Sequence, residues 1–147
     1  MRRWLRALRH CRRGTSAVEF GMIAPAMVLL FAGMVDLAGA MQQTVRLESA
    51  ARAGAQYAMG FPEDTAGIIA ATTAAVGGGG TVTVVPAYCA CPGGSTTAVA
   101  CEGTPCSGEP SATYVEVSVT RPYAPIIGIG DYVLPSTLRG TAVTRVR

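Results

Sequence analysis

The side chains in this sequence that could do chemistry fall into two groups: four cysteines late in the chain and one carboxylate near its start. Cys89, Cys91, Cys101 and Cys106 could hold a zinc ion or form disulfides. Structural zinc sites usually space their ligand pairs by about two to four residues. Here the first pair is Cys-x-Cys, and the one histidine of the chain, His10, stands far upstream. The even set therefore predicts disulfides rather than a metal site. Cys89 and Cys91 are poor partners for each other, which leaves Cys89 with Cys106 and Cys91 with Cys101, or the crossed arrangement. Sequence alone does not choose between them.

Catalysis finds no foothold. Beyond His10 there is no histidine for a Ser-His-Asp or Cys-His arrangement, and no pair of carboxylates stands out for acid–base work. Gly77-Gly78-Gly79-Gly80 follows an apolar stretch, but it lacks the Lys-Ser/Thr of a phosphate loop and has the order of strand and helix reversed. No cofactor fingerprint occurs. The sequence thus predicts a non-enzymatic protein with no catalytic residue, no metal, no cofactor and no small-molecule substrate.

The remaining carboxylate is Glu19. It opens an apolar run in which Phe20 through Val35 carry no charge, and only Asp36 interrupts the run before Gln42. A helix needs roughly 20 residues to cross a hydrocarbon core about 30 Å thick. Phe20, Ile23, Leu29, Leu30 and their like each favour insertion by about 0.3–0.6 kcal/mol, against about 2.5–3.5 kcal/mol for an Asp at mid-helix and less near an end. The balance favours spanning over a buried soluble helix. A carboxylate at the start of such a run must stay at the interface or find a positive partner; the plain alternative is an N-terminal helix acid favoured by the dipole.

Charge orients the segment. Arg2, Arg3, Arg6, Arg9, Arg12 and Arg13 hold half of the 12 basic residues, so six arginines face nine acids from Thr15 onward and the net charge of +3 belongs to the tail alone. By the positive-inside rule the tail is cytoplasmic and Gln42 onward is exported. The exported part has no basic patch interleaved with aromatics, so no nucleic-acid partner is expected. Ala38-Gly39-Ala40 would also suit a signal-peptide cleavage site, which would make the mature protein soluble. Against that, the apolar stretch exceeds the usual h-region of about 7–15 residues, and Asp36 stands just before the site.

The elements that position these residues follow from periodicity. Leu47, Ala51, Ala55, Ala58 and Met59 share a helical stripe, and Glu48 can pair with Arg52, so one helix is expected from about Ser16 to Met59, ended by Gly60 and Pro62. The small side chains of the stripe fit the inner face of a small domain or a contact with a second subunit. Pro62-Glu63-Asp64-Thr65 predicts a second helix of about 12 residues to Val76, with its acids in the first turn, stopped by the glycine run. From Thr81 the period becomes two: strands are expected at 81–85, 114–120 and 137–146. The prolines between Arg121 and Pro135 keep that segment out of a ladder interior. The fold class is therefore α+β: a single N-terminal transmembrane helix extended into a long helix, a short second helix, and a three-stranded antiparallel sheet stapled by the cysteine loop. Its regions are a basic leader at 1–14, the spanning helix and its extension at 15–60, and an exported α+β domain at 61–147.

Taken together, the basic leader, Gly14, four residues, then Glu19-Phe20 and an apolar helix resemble the processing motif of type IV prepilins, particularly the Flp class. The wider run Arg13-Gly14-Thr15-Ser16-Ala17-Val18-Glu19-Phe20, with Ala24-Pro25 and Asp36, resembles the TadE/TadG-like family of the tight-adherence pilus machinery over about residues 12–60. That resemblance implies a pilin-like fold, cleavage between Gly14 and Thr15 by a prepilin peptidase, and pairing of the new Thr15 amine with Glu19 between neighbouring subunits, with Phe20 beside them. It further implies a bacterial inner-membrane location with the C-terminal domain periplasmic, and other Flp pilins, pseudopilins and Tad assembly proteins as partners. Flp subunits are much shorter and usually carry Glu-Tyr, whereas Glu19-Phe20 and the large exported part point to a minor pseudopilin. The alternatives are an uncut membrane-anchored binding module and a soluble exported protein.

Overall fold

The computed structural model describes residues 14–93, 97–125 and 134–146. The basic leader with Cys11 and part of the proline-containing segment after Arg121 lie outside these residues. Helix α1 runs Thr15–Gly60, 46 residues or about 69 Å at 1.5 Å per residue. Its second half belongs to the domain core: Ala40, Leu47, Ala50, Ala51, Gly54, Ala55 and Ala58 are buried. The alanine stripe is thus the inner face of the domain. Met59 is the exception, more than half exposed at the helix end, while Ala50 and Gly54 join the buried face.

Helix α2, Thr65–Val76, starts at Asp64, whose side chain accepts the Gly67 amide at 2.9 Å. The acids of that segment precede the first turn instead of occupying it, and Asp64 acts as the N-cap. The same carboxylate accepts the Tyr57 hydroxyl at 2.9 Å, tying the two helices together. Gly77 ends α2 in the left-handed conformation (φ 73°), which costs a glycine nothing sterically.

Three antiparallel strands follow: β1 Thr81–Ala90, β2 Ala112–Pro122 and β3 Thr137–Arg145, in the order β1-β2-β3. Val115, Val117 and Val119 of the central strand point inward and are fully buried. Thr83, Ser118 and Thr141 share one register line on the opposite, polar face. Strand β1 continues five residues past Val85, because a register shift between Val85 and Tyr88 absorbs Pro86 on an edge strand, where the missing amide is tolerated. Strand β2 likewise reaches Pro122, the last ladder position, paired with Thr137.

The core has two layers along α1. Ala58 and Ile68 pack with Val115 and Val117, and Ala40, Leu47 and Ala51 pack with Val119, Tyr123 and Leu138. Strand β2 therefore runs antiparallel to α1, and the cysteine loop that precedes it lies at the end of the domain remote from the apolar half of the helix. Two glycines allow the close approach. A Cβ on Gly54 would collide with the Thr72 hydroxyl, and one on Gly140 would enter the backbone of Leu47 and Glu48. The sheet and α2 thus rest directly on the α1 main chain.

Candidate functional site

Sequence places two groups of residues under suspicion, and the fold puts them at opposite ends. At the remote end, disulfides join Cys89 to Cys101 and Cys91 to Cys106, the crossed arrangement. The closed loops span 12 and 15 residues and interleave. A loop of that size removes about 3 kcal/mol of unfolded-state entropy in the chain-entropy account. The thiols are thereby consumed in cross-links, and among the described residues no group of three or more His, Cys, Asp or Glu could hold a metal ion.

At the other end, Gly14 occupies the N-cap position of α1 with no side-chain cap, and Thr15 is the first helical residue. Glu19 is the fifth residue of the helix, beyond the first turn. Since the dipole's benefit falls off within that turn, it gives little reason for a carboxylate here. Thr15 and Glu19 stand four apart and so share one helix face. Phe20 is exposed beside them.

From Val18 to Val35 the helix is exposed except at Ala32, which is buried, and at Ala24 and Gly33, which are half-buried. Phe20, Met22, Val28, Leu30, Phe31 and Met34 are each at least 60 % exposed, and they lie all around the shaft. Only 6 % of the most apolar 18-residue window is buried within the chain, the reverse of a core helix in a water-soluble domain. Thr15 to Val35 measures about 31 Å, against a hydrocarbon thickness of about 30 Å. An apolar surface of this size on one shaft marks a membrane or protein interaction. The long apolar helix is a candidate membrane anchor.

Burial along the helix begins at Ala32, and Asp36, one turn further on, is 1 % exposed. Its side chain is shielded by protein, so it costs the apolar shaft less than its position in the sequence suggests. The Tyr123 hydroxyl donates to the Asp36 carbonyl oxygen at 2.7 Å and lies against Gly39, where an added Cβ would stand 3.3 Å away. This contact, across 87 residues, was not visible in the sequence beyond the Pro122-Tyr123 pair itself.

Comparison with known proteins bears on the same segment. The family model described as TadE-like protein matches residues 14–56. The helix is TadE-like. The match begins at Gly14 and takes in the bare shaft, Glu19, Asp36 and most of the small-residue face that the sheet covers. No curated protein and no solved structure matches the chain. The match covers 43 of the 147 residues, so the likeness belongs to this helical segment.

Proposed function

We propose that this chain is a minor pseudopilin that takes part in assembling or initiating a Flp/Tad pilus. It is held in the bacterial inner membrane by the first half of α1, with the α+β domain in the periplasm. The observation that carries the proposal is the TadE-like segment itself: it starts at the glycine before the helix and includes a carboxylate one turn inside an otherwise bare apolar shaft.

In this reading a prepilin peptidase cuts between Gly14 and Thr15. The new ammonium of Thr15 and the Glu19 carboxylate then both lie at the edge of an apolar phase, where an unpaired charge is expensive. Pairing them between adjacent subunits satisfies both, and the bare shafts pack together in lipid through close contacts at small residues such as Gly21, Ala24 and Gly33. The chain does no chemistry; prepilin peptidase, Flp pilins and other Tad proteins are its partners. Signal-peptide cleavage after Ala38-Gly39-Ala40 fits less well, because it would cut mid-helix at a buried Ala40 and beneath the Tyr123 contact.

The test is Glu19→Ala in cells that make the pilus. Cleavage of the leader should proceed much as in the wild type, while co-purification of the Flp pilins with the variant drops. Undiminished pilin recovery and normal pilus yield would rule out the role given to Glu19.

A further inference from the structure

Just above the apolar shaft, Gln43, Arg46 and Leu47 of α1, Val76 of α2 and Arg121 of β2 line one cleft of about 210 Å³. No acid lines it. Neither Arg46 nor Arg121 takes part in the Glu48–Arg52 or the Glu116–Arg139 ion pair. Two guanidiniums facing one cleft repel each other unless an anion lies between them. Their planar forks match the oxygens of a phosphate, and the Gln43 amide adds a neutral donor.

The glycine turn after α2 is shaped around this arrangement. Gly79 has φ +77°, and a Cβ there would stand 3.1 Å from Nη2 of Arg121. A residue with a side chain would be strained and would push the guanidinium away. The cleft is below the roughly 300–1,000 Å³ of sites for drug-sized ligands, which suits a phosphate group and excludes a whole nucleotide. Arg46 lies eleven residues, about 16 Å, beyond Val35, the end of the segment that matches the hydrocarbon thickness. A headgroup layer is about 5–7 Å deep on each side of the hydrocarbon, so a lipid phosphate meets the cleft where helix tilt and the downward reach of the arginine stems close the remaining gap, and free phosphate needs neither.

We propose that the cleft between Arg46 and Arg121 is a phosphate-binding site, filled either by the headgroup of an anionic phospholipid or by free phosphate. This function is separate from subunit pairing at Glu19 and does not rest on it. The experiment uses the full chain in neutral detergent. Native mass spectrometry reads retained phosphatidylglycerol against phosphatidylcholine, and phosphorus NMR line broadening reads inorganic phosphate. Arg46→Gln, at an exposed position, and Arg121→Gln should each weaken binding about fivefold, while Arg52→Gln leaves it unchanged. Gly79→Ala, which keeps both charges but displaces Arg121, should weaken it as well. Loss confined to phosphatidylglycerol identifies the headgroup as the source, and loss confined to inorganic phosphate identifies the free ion. The proposal is overturned if the wild type binds neither probe, or if Arg46→Gln and Arg121→Gln bind as the wild type does or no more weakly than Arg52→Gln.

Discussion

The sharpest mechanical prediction concerns Gly140, where β3 crosses α1. A Cβ built there meets the Leu47 carbonyl oxygen at 2.6 Å and comes closer still to the Leu47 carbonyl carbon and the Glu48 nitrogen. Ordinary contact begins near 3.4 Å, so Gly140→Ala forces the strand off the helix by about 0.8–1 Å. Neither neighbour can turn aside, because both are main chain. A gap of that size forfeits a quarter to a half of the dispersion energy of each contact it opens, and Leu138 and Val119 sit in the layer that would open. Overpacking usually costs about 1–3 kcal/mol, and backbone overlap puts this variant at the upper end, about 2–3 kcal/mol. With a urea m-value of about 1–2 kcal/mol/M, the midpoint should fall by roughly 1–3 M. The assay is urea unfolding of the full detergent-solubilised chain with its disulfides intact, read by resistance to a pulse of protease. Gly60→Ala, where an added Cβ meets nothing within 4 Å, serves as the control. A Gly140→Ala midpoint equal to or above that of the wild type would refute the proposed packing of sheet on helix.

Three further outcomes are expected. Peptide mapping under non-reducing conditions should find Cys89 linked to Cys101 and Cys91 to Cys106, with no free thiol among the four; a Cys89–Cys106 peptide would contradict the crossed pairing. Opening the second bridge with Cys91→Ser and Cys106→Ser together should lower stability by about 2–4 kcal/mol, seen as a lower urea midpoint. At the start of α2, the Gly67 amide and then the Tyr57 hydroxyl hold the Asp64 carboxyl below its ordinary value. A depressed folded value means stability that is present above the unfolded carboxylate value of about 3.9 and lost as pH falls through the folded one. The deficit of Asp64→Ala should therefore be full at neutral pH and close in acid, and a deficit equally large at pH 3 would exclude this source.

Much of the architecture was legible before any coordinates. The bounds of α1 followed from an unbroken apolar run joined to a stripe of alanines, with Gly60 and Pro62 to stop it, and they differ from the structure by one residue at each end. The extent of α2 followed from its terminators, although Asp64 caps the helix instead of charging its first turn. The alternation of β1 is legible only over 81–85, and its continuation to Ala90 is not, because whether a bulge can absorb Pro86 depends on the neighbouring strand. The disulfide pairing was open for a related reason: both arrangements close loops of similar length, and only the chain path between β1 and β2 decides. The site was legible only in its local part. Gly14, Thr15, Glu19 and Phe20 are neighbours in any helix, whereas the Tyr123 contact to Asp36 and the cleft between Arg46 and Arg121 join residues from distant elements.

In the proposed function the start of α1 is a processed, membrane-embedded assembly element. Intact-mass measurement on the membrane-extracted chain, from cells with and without prepilin peptidase, tests it directly. With the peptidase, the account predicts a membrane-bound product lacking residues 1–14 and beginning at Thr15; without it, the uncut chain. A chain still beginning at Met1 in the presence of the peptidase, or recovered whole in the aqueous fraction, would contradict it.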